Sequence, residues 1–69
     1  MKEFPLVIEI VDESGAVQTS NSGKKYSHTV NNQEQYSTKY RAARGRAEIL
    51  NSRGLNVTVK EKSLNEGGN

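Results

Sequence analysis

Seven cations in the middle of this chain set the first chemical question. They are Lys24, Lys25, Lys39, Arg41, Arg44, Arg46 and Arg53. Ammonium and guanidinium groups at such density suit a polyanion, because phosphate oxygens are contacted chiefly by Arg and Lys. Between residues 24 and 53 only Glu34 and Glu48 oppose them, a local net of +5. Residues 1–23 carry net −3 and residues 54–69 balance, with Lys60 and Lys62 against Glu61 and Glu66. The formal charge of +2 on the 69 residues therefore conceals a basic middle. Such asymmetry points to a polyanion-binding surface, and equally describes the charged outer side of an ordinary surface helix.

Catalytic and metal-binding chemistry has little to work with. There is no Cys, which removes disulfides, thiolate zinc sites and thiol nucleophiles. His28 is the only imidazole, and its neighbour Ser27 must point to the opposite side of a strand. Glu9, Asp12 and Glu13 lack the spacing of a calcium loop. The glycines fall at turns, in the helix and in the tail, and make no phosphate-binding loop. The reading is of a non-enzymatic chain that needs no cofactor and no metal. Tyr26, Tyr36 and Tyr40 lie within the basic region. Rings interleaved with cations suit single-stranded nucleic acid, on which bases stack. For Tyr36 and Tyr40 packing against a core is the better expectation, with their hydroxyls at its edge.

Five elements would have to position these groups. Phe4, Leu6, Ile8 and Ile10 alternate with Val7, Glu9 and Val11, which predicts a strand over 4–11 with one wholly apolar and one half-exposed face. Asp12-Glu13-Ser14-Gly15 and Ser20-Asn21-Ser22-Gly23 are turn signals. A second strand over 16–19 and a third over 24–30 are weakly patterned, and one irregular excursion fits equally well. On the third, Tyr26, His28 and Val30 share a face. Asn32 followed by Gln35 approximates a capping box. Tyr36, Tyr40, Ala43, Ala47 and Leu50 then form one apolar stripe, and Arg53-Gly54 closes a helix over 33–53. Leu55, Val57 and Val59 predict a last strand beside the first.

Helix geometry sorts the cations. At about 100° per residue the apolar stripe lies within about 40° of Tyr36, and Lys39, Arg46 and Arg53 fall at about −60° to −100°. They form a column beside the stripe. Arg41 and Arg44 lie on the other flank near Glu48, where pairing would offset their charge. Gly45 and Ala42 leave a low surface between the cations, where a partner could approach closely. Lys24 and Lys25 extend the column only if the fold brings them to it.

The fold class expected is α+β: a small antiparallel-rich sheet of three to four strands with one helix packed on one face, in the order β-β-(β)-α-β. Residues 1–62 would form one domain and 63–69 a flexible tail. A chain this short buries only roughly 60% of its unfolded surface, so a second copy would help it. Val7 and Val11 are the side chains a homodimer would use. The N-terminal apolar run is too short for a membrane span and lacks signal-peptide flanks, so the expected setting is cytoplasmic, away from membranes.

In size and element order the chain resembles many small phage-encoded single-domain proteins. Some of those inhibit host enzymes or CRISPR effector complexes, and others bind DNA. The resemblance rests on no motif and names no family. Two functions follow as expectations. The first is non-catalytic binding of nucleic acid, DNA or RNA, through Lys24, Lys25, Lys39, Arg46 and Arg53, with Arg41 and Arg44 secondary. The second is inhibition of a host protein or nucleoprotein complex, the basic helix occupying an acidic surface of the larger partner.

Overall fold

A computed structural model describes residues 3–20 and 22–64. Its elements run in the order β1 (Leu6–Asp12), β2 (Ser27–Val30), α1 (Gln33–Ser52) and β3 (Val57–Ser63). The sheet order is β2-β1-β3, with β1 central and both neighbours antiparallel to it. This is the α+β fold expected, with three strands. The last strand lies beside the first, as its apolar content required.

Alternation along β1 decides which side the helix takes. Leu6, Ile8 and Ile10 join Val30, Val57, Ala43, Ala47 and Leu50 in one buried cluster under α1. Phe4, Tyr26, Tyr36, Tyr40 and Val59 pack around it. Ile8, Ile10 and Val30 are essentially inaccessible, each burial contributing about 1.5–3 kcal/mol. Small Ala43 and Ala47 let the helix approach the sheet closely. Val7, Glu9 and Val11 face the other way. The two valines are not half exposed as alternation suggested; they are buried, at 8% and 6% accessibility. Thr29 and Lys62 stand beside Val7 in register, and Thr58 and Val17 stand beside Val11. The valines are thus flanked on both sides, by β2 and β3 at Val7 and by β3 and the excursion at Val11. That leaves little apolar surface on this face for a second copy to use.

Both ends of α1 form as the residue types dictate. The Asn32 side chain accepts the Gln35 N–H at 2.8 Å. The Gln35 side chain reaches back to the N–H of Asn31 at 2.8 Å, one residue earlier than in the standard box. At the C-terminus Gly54 adopts φ +99°, and its N–H donates to Asn51 O while the Leu55 N–H donates to Leu50 O. These two bonds make a Schellman closure with Arg53 at the C-cap. The Asn51 side chain then donates to Val57 O and accepts the Val57 N–H, at 3.1 and 2.8 Å, which ties the end of α1 to the start of β3.

Between β1 and β2 the chain makes an excursion rather than two further strands. Asp12 N–H donates to Ala16 O, and Ser20 N–H donates to Lys24 O. Gly15 and Gly23 both sit at φ +89°, a conformation glycine adopts without a side-chain penalty. Residues 16–19 form isolated bridges rather than a strand, at Val11–Val17 with β1 and at Thr19–Lys25 with the following segment. At the fork, Ile10 N–H donates to Tyr26 O, Gln18 N–H to Ile10 O and Tyr26 N–H to Gln18 O. The expected strand over 24–30 is thereby shortened to Ser27–Val30. At the other end β3 runs to Ser63, and the Leu64 N–H donates to Pro5 O. The rest of the expected tail, from residue 65, lies outside the described residues.

Candidate nucleic-acid interface

All seven cations singled out by the sequence are exposed. Lys39, Arg46 and Arg53 fall on one flank of α1. Arg46 leaves the helix toward β2 and places its guanidinium carbon 5.5 Å from the centre of the Tyr26 ring. Tyr26 is half-buried and packs against the core, so it is not freely exposed on its strand. A guanidinium over a ring face is held by the ring quadrupole. Tyr26 directly follows Lys24-Lys25 in the chain, so this contact brings the excursion to the helical column.

The direction of β2 gives the order along that flank. Val30 pairs with Leu6, and Tyr26 bonds to Ile10, so the chain read backwards from Val30 moves toward Asp12. Asp12 pairs with Val57, to which the end of α1 is tied through Asn51. Before Tyr26 the chain leaves β1: Lys25 pairs with Thr19, and Lys24 O accepts the Ser20 N–H, within the excursion. On the helix the cations follow one line from Lys39 through Arg46 to Arg53. The helical carboxylates Glu34 and Glu48 sit at about 160° and 120° from Tyr36, away from this line.

Beneath Arg46 runs a groove of about 200 Å³ between α1 and β2, lined by Ile8, Ile10, Tyr26, His28, Ala42, Ala43 and Arg46. His28 stands there because it pairs with Ile8 and shares with Val30 the face of β2 under the helix, with Tyr26 just before the strand. His28 was not expected at a site, and Ala42 was expected only with Gly45 on a low outer surface of the helix. Their spacing from Arg46 and Tyr26, four residues on the helix and two on the strand, is the signal that would have placed them there.

The other flank is built differently. Tyr36 and Tyr40 stack at 5.4 Å with planes 22° apart, and Phe4 meets Tyr36 edge-on at 6.4 Å. The Tyr36 hydroxyl donates to the Glu61 carboxylate. These rings pack on the core, as their position on the apolar stripe required. Arg41 and Arg44 border a shallow depression with Ser37, Tyr40, Gly45 and Glu48, apart from the Arg46 line. Among the described residues no carboxylate lies within 4.0 Å of either arginine, so the expected neutralising contact with Glu48 is not made. Lys60 and Lys62, which cancel against Glu61 and Glu66 in the sequence, are separated from Glu61 by the pleat. They fall on the open face of the sheet, opposite Glu9 and Val7 in register, while Glu61 lies under the helix.

One carboxylate serves the excursion that carries Lys24 and Lys25. Asp12 Oδ1 accepts the Ser14 hydroxyl at 2.6 Å and the N–H groups of Ser14 and Ala16 at 2.9 and 3.1 Å. The Ser14 hydroxyl above all, with the backbone donors, holds its pKa below the usual 3.8. Among the described residues, no helix is long and apolar enough to cross a membrane, and no group of three or more His, Asp or Glu could hold a metal ion. No protein-family model, no curated protein and no solved structure matches this chain.

Proposed function

We propose that this protein is a non-catalytic nucleic-acid-binding module that engages phosphates along the β2 flank of α1. Lys24, Lys25, Lys39, Arg46 and Arg53 are the contacts, and Arg41 and Arg44 contribute less from the other flank. The observation that supports this most is Arg46 over Tyr26, because it sets a cation of the helical column against the residue that follows Lys24-Lys25 in the chain. A line of exposed cations can track a phosphate backbone, and its affinity falls steeply as salt rises because binding releases counterions. Anisotropy titrations of labelled duplex and single-stranded DNA and RNA in low salt test this. Binding that weakens as salt is added is expected; no binding to any of them refutes the reading.

A second reading draws on Ile49. It is 46% exposed on the outer surface of α1, next to Ala42 and Gly45 and bordered by arginines. An exposed apolar side chain amid cations suits an acidic surface on a larger protein, which the helix would block. A partner retained from lysate after nuclease treatment would support this inhibitor role, and loss of every partner would support nucleic acid.

A further inference from the structure

We propose that the groove between α1 and β2 receives one unpaired base, so that the preferred ligand is single-stranded nucleic acid rather than duplex. This rests on the phosphate-binding reading above and adds to it what the groove itself recognises. The floor is apolar, formed by Ile8 and Ile10, which are 1% and 2% accessible. At about 200 Å³ the groove is smaller than the roughly 300–1,000 Å³ of sites for drug-sized ligands, and it suits one planar ring. The Tyr26 ring and the Arg46 guanidinium are both surfaces on which a base stacks. His28 on the strand side brings an imidazole that can bond to a base edge. On the helix side the groove is lined, beside Arg46, by the small side chains of Ala42 and Ala43, which take up little of it. The cations to either side, Lys39 on the helix and Lys25 beyond Tyr26, would hold the phosphates flanking that base. A base paired within a duplex stays in its stack, so a duplex would meet the cations and leave the groove empty.

Three labelled DNA probes separate the parts of this idea: a short single strand, the same strand with every base removed, and a hairpin duplex. The intact strand is expected to bind about tenfold more tightly than the abasic one, within what a single stacked base contributes. Ala42→Leu fills the groove without changing charge, at an exposed helical position that accepts leucine readily. It is expected to bring the intact strand down to the abasic level and leave duplex binding unchanged. The comparison of intact and abasic strands uses the unaltered protein, so it holds even if the variant folds poorly. Equal binding of the intact and abasic strands, or a preference that survives Ala42→Leu in a folded variant, overturns base insertion while leaving phosphate binding intact. Failure of all three probes to bind in low salt overturns both.

Discussion

The two flanks of α1 carry similar residue types and have been put to different uses. On the β3 flank, rings pack on rings, a tyrosine hydroxyl closes on Glu61, and Arg41 and Arg44 border a depression that also holds Glu48. On the β2 flank a single tyrosine lies under an arginine, and the helical cations run in one line with a groove beneath Arg46. The first flank holds the helix to the sheet. The second leaves charge and a small cavity facing outward. An aromatic residue beside an arginine therefore has no fixed meaning here; what matters is whether the ring meets another ring and a carboxylate, or a guanidinium and a groove.

Charge reversal breaks this comparison most severely. Arg46→Glu with Arg53→Glu is expected to weaken nucleic-acid binding at least tenfold, a loss of about 1.4 kcal/mol or more, in low-salt titrations. Arg41→Glu with Arg44→Glu should cost much less. Equal losses from the two pairs would mean that the flanks are not distinct. Tyr36→Phe acts on the structural flank alone. Removing its hydroxyl bond to Glu61 should cost about 1 kcal/mol in chemical denaturation and leave binding unchanged. A binding defect in a folded Tyr36→Phe protein would place that flank in the interface.

Gly45 lies on the outer surface between the flanks. A Cβ added there meets nothing within 4 Å, so Gly45→Ala should stabilise the protein by about 0.5–1 kcal/mol with binding unaltered. A loss of affinity would show that the ligand's backbone crosses the helix at this point. The smallest effect concerns Asp12, at the start of the excursion that carries Lys24 and Lys25. Its folded pKa is lowered, so the stability it supplies is fully present above pH 3.8 and is lost as pH falls through the lower folded value. Asp12→Asn should flatten the acid limb of a denaturation-against-pH curve slightly, and an unchanged limb would remove Asp12 from the account.

Much of the architecture was legible because its signals are local. The alternation from Leu6 to Ile10, the Asn32 cap, the stripe from Tyr36 to Leu50 and the Gly54 closure each depend on a few neighbouring residues. The cationic column was legible for the same reason, since one helix fixes its spacing. What was hidden depends on pairing between distant segments. The fork at Gln18 shortened the strand expected over 24–30, because one short segment bonds to both Ile10 and Tyr26. Burial of Val7 and Val11 comes from side chains on β2, β3 and the excursion, which alternation along β1 does not reveal. The Asn51 bonds to Val57 span a turn and required its geometry. Lys60 and Lys62 looked neutralised by Glu61 and Glu66 in a running sum, and the pleat of β3 put the two lysines on the face opposite Glu61.

The central claim is that the β2 flank of α1 works as one phosphate-binding line. The most direct test is the slope of log affinity against log salt for a single strand, measured for the native protein and for single Arg→Gln changes. Each phosphate contact contributes about 0.7 to that slope. The account predicts a fall of about 0.7 for Arg46→Gln and again for Arg53→Gln, with little change for Arg41→Gln or Arg44→Gln. A slope unmoved by the first two changes, or lowered equally by all four, would contradict it.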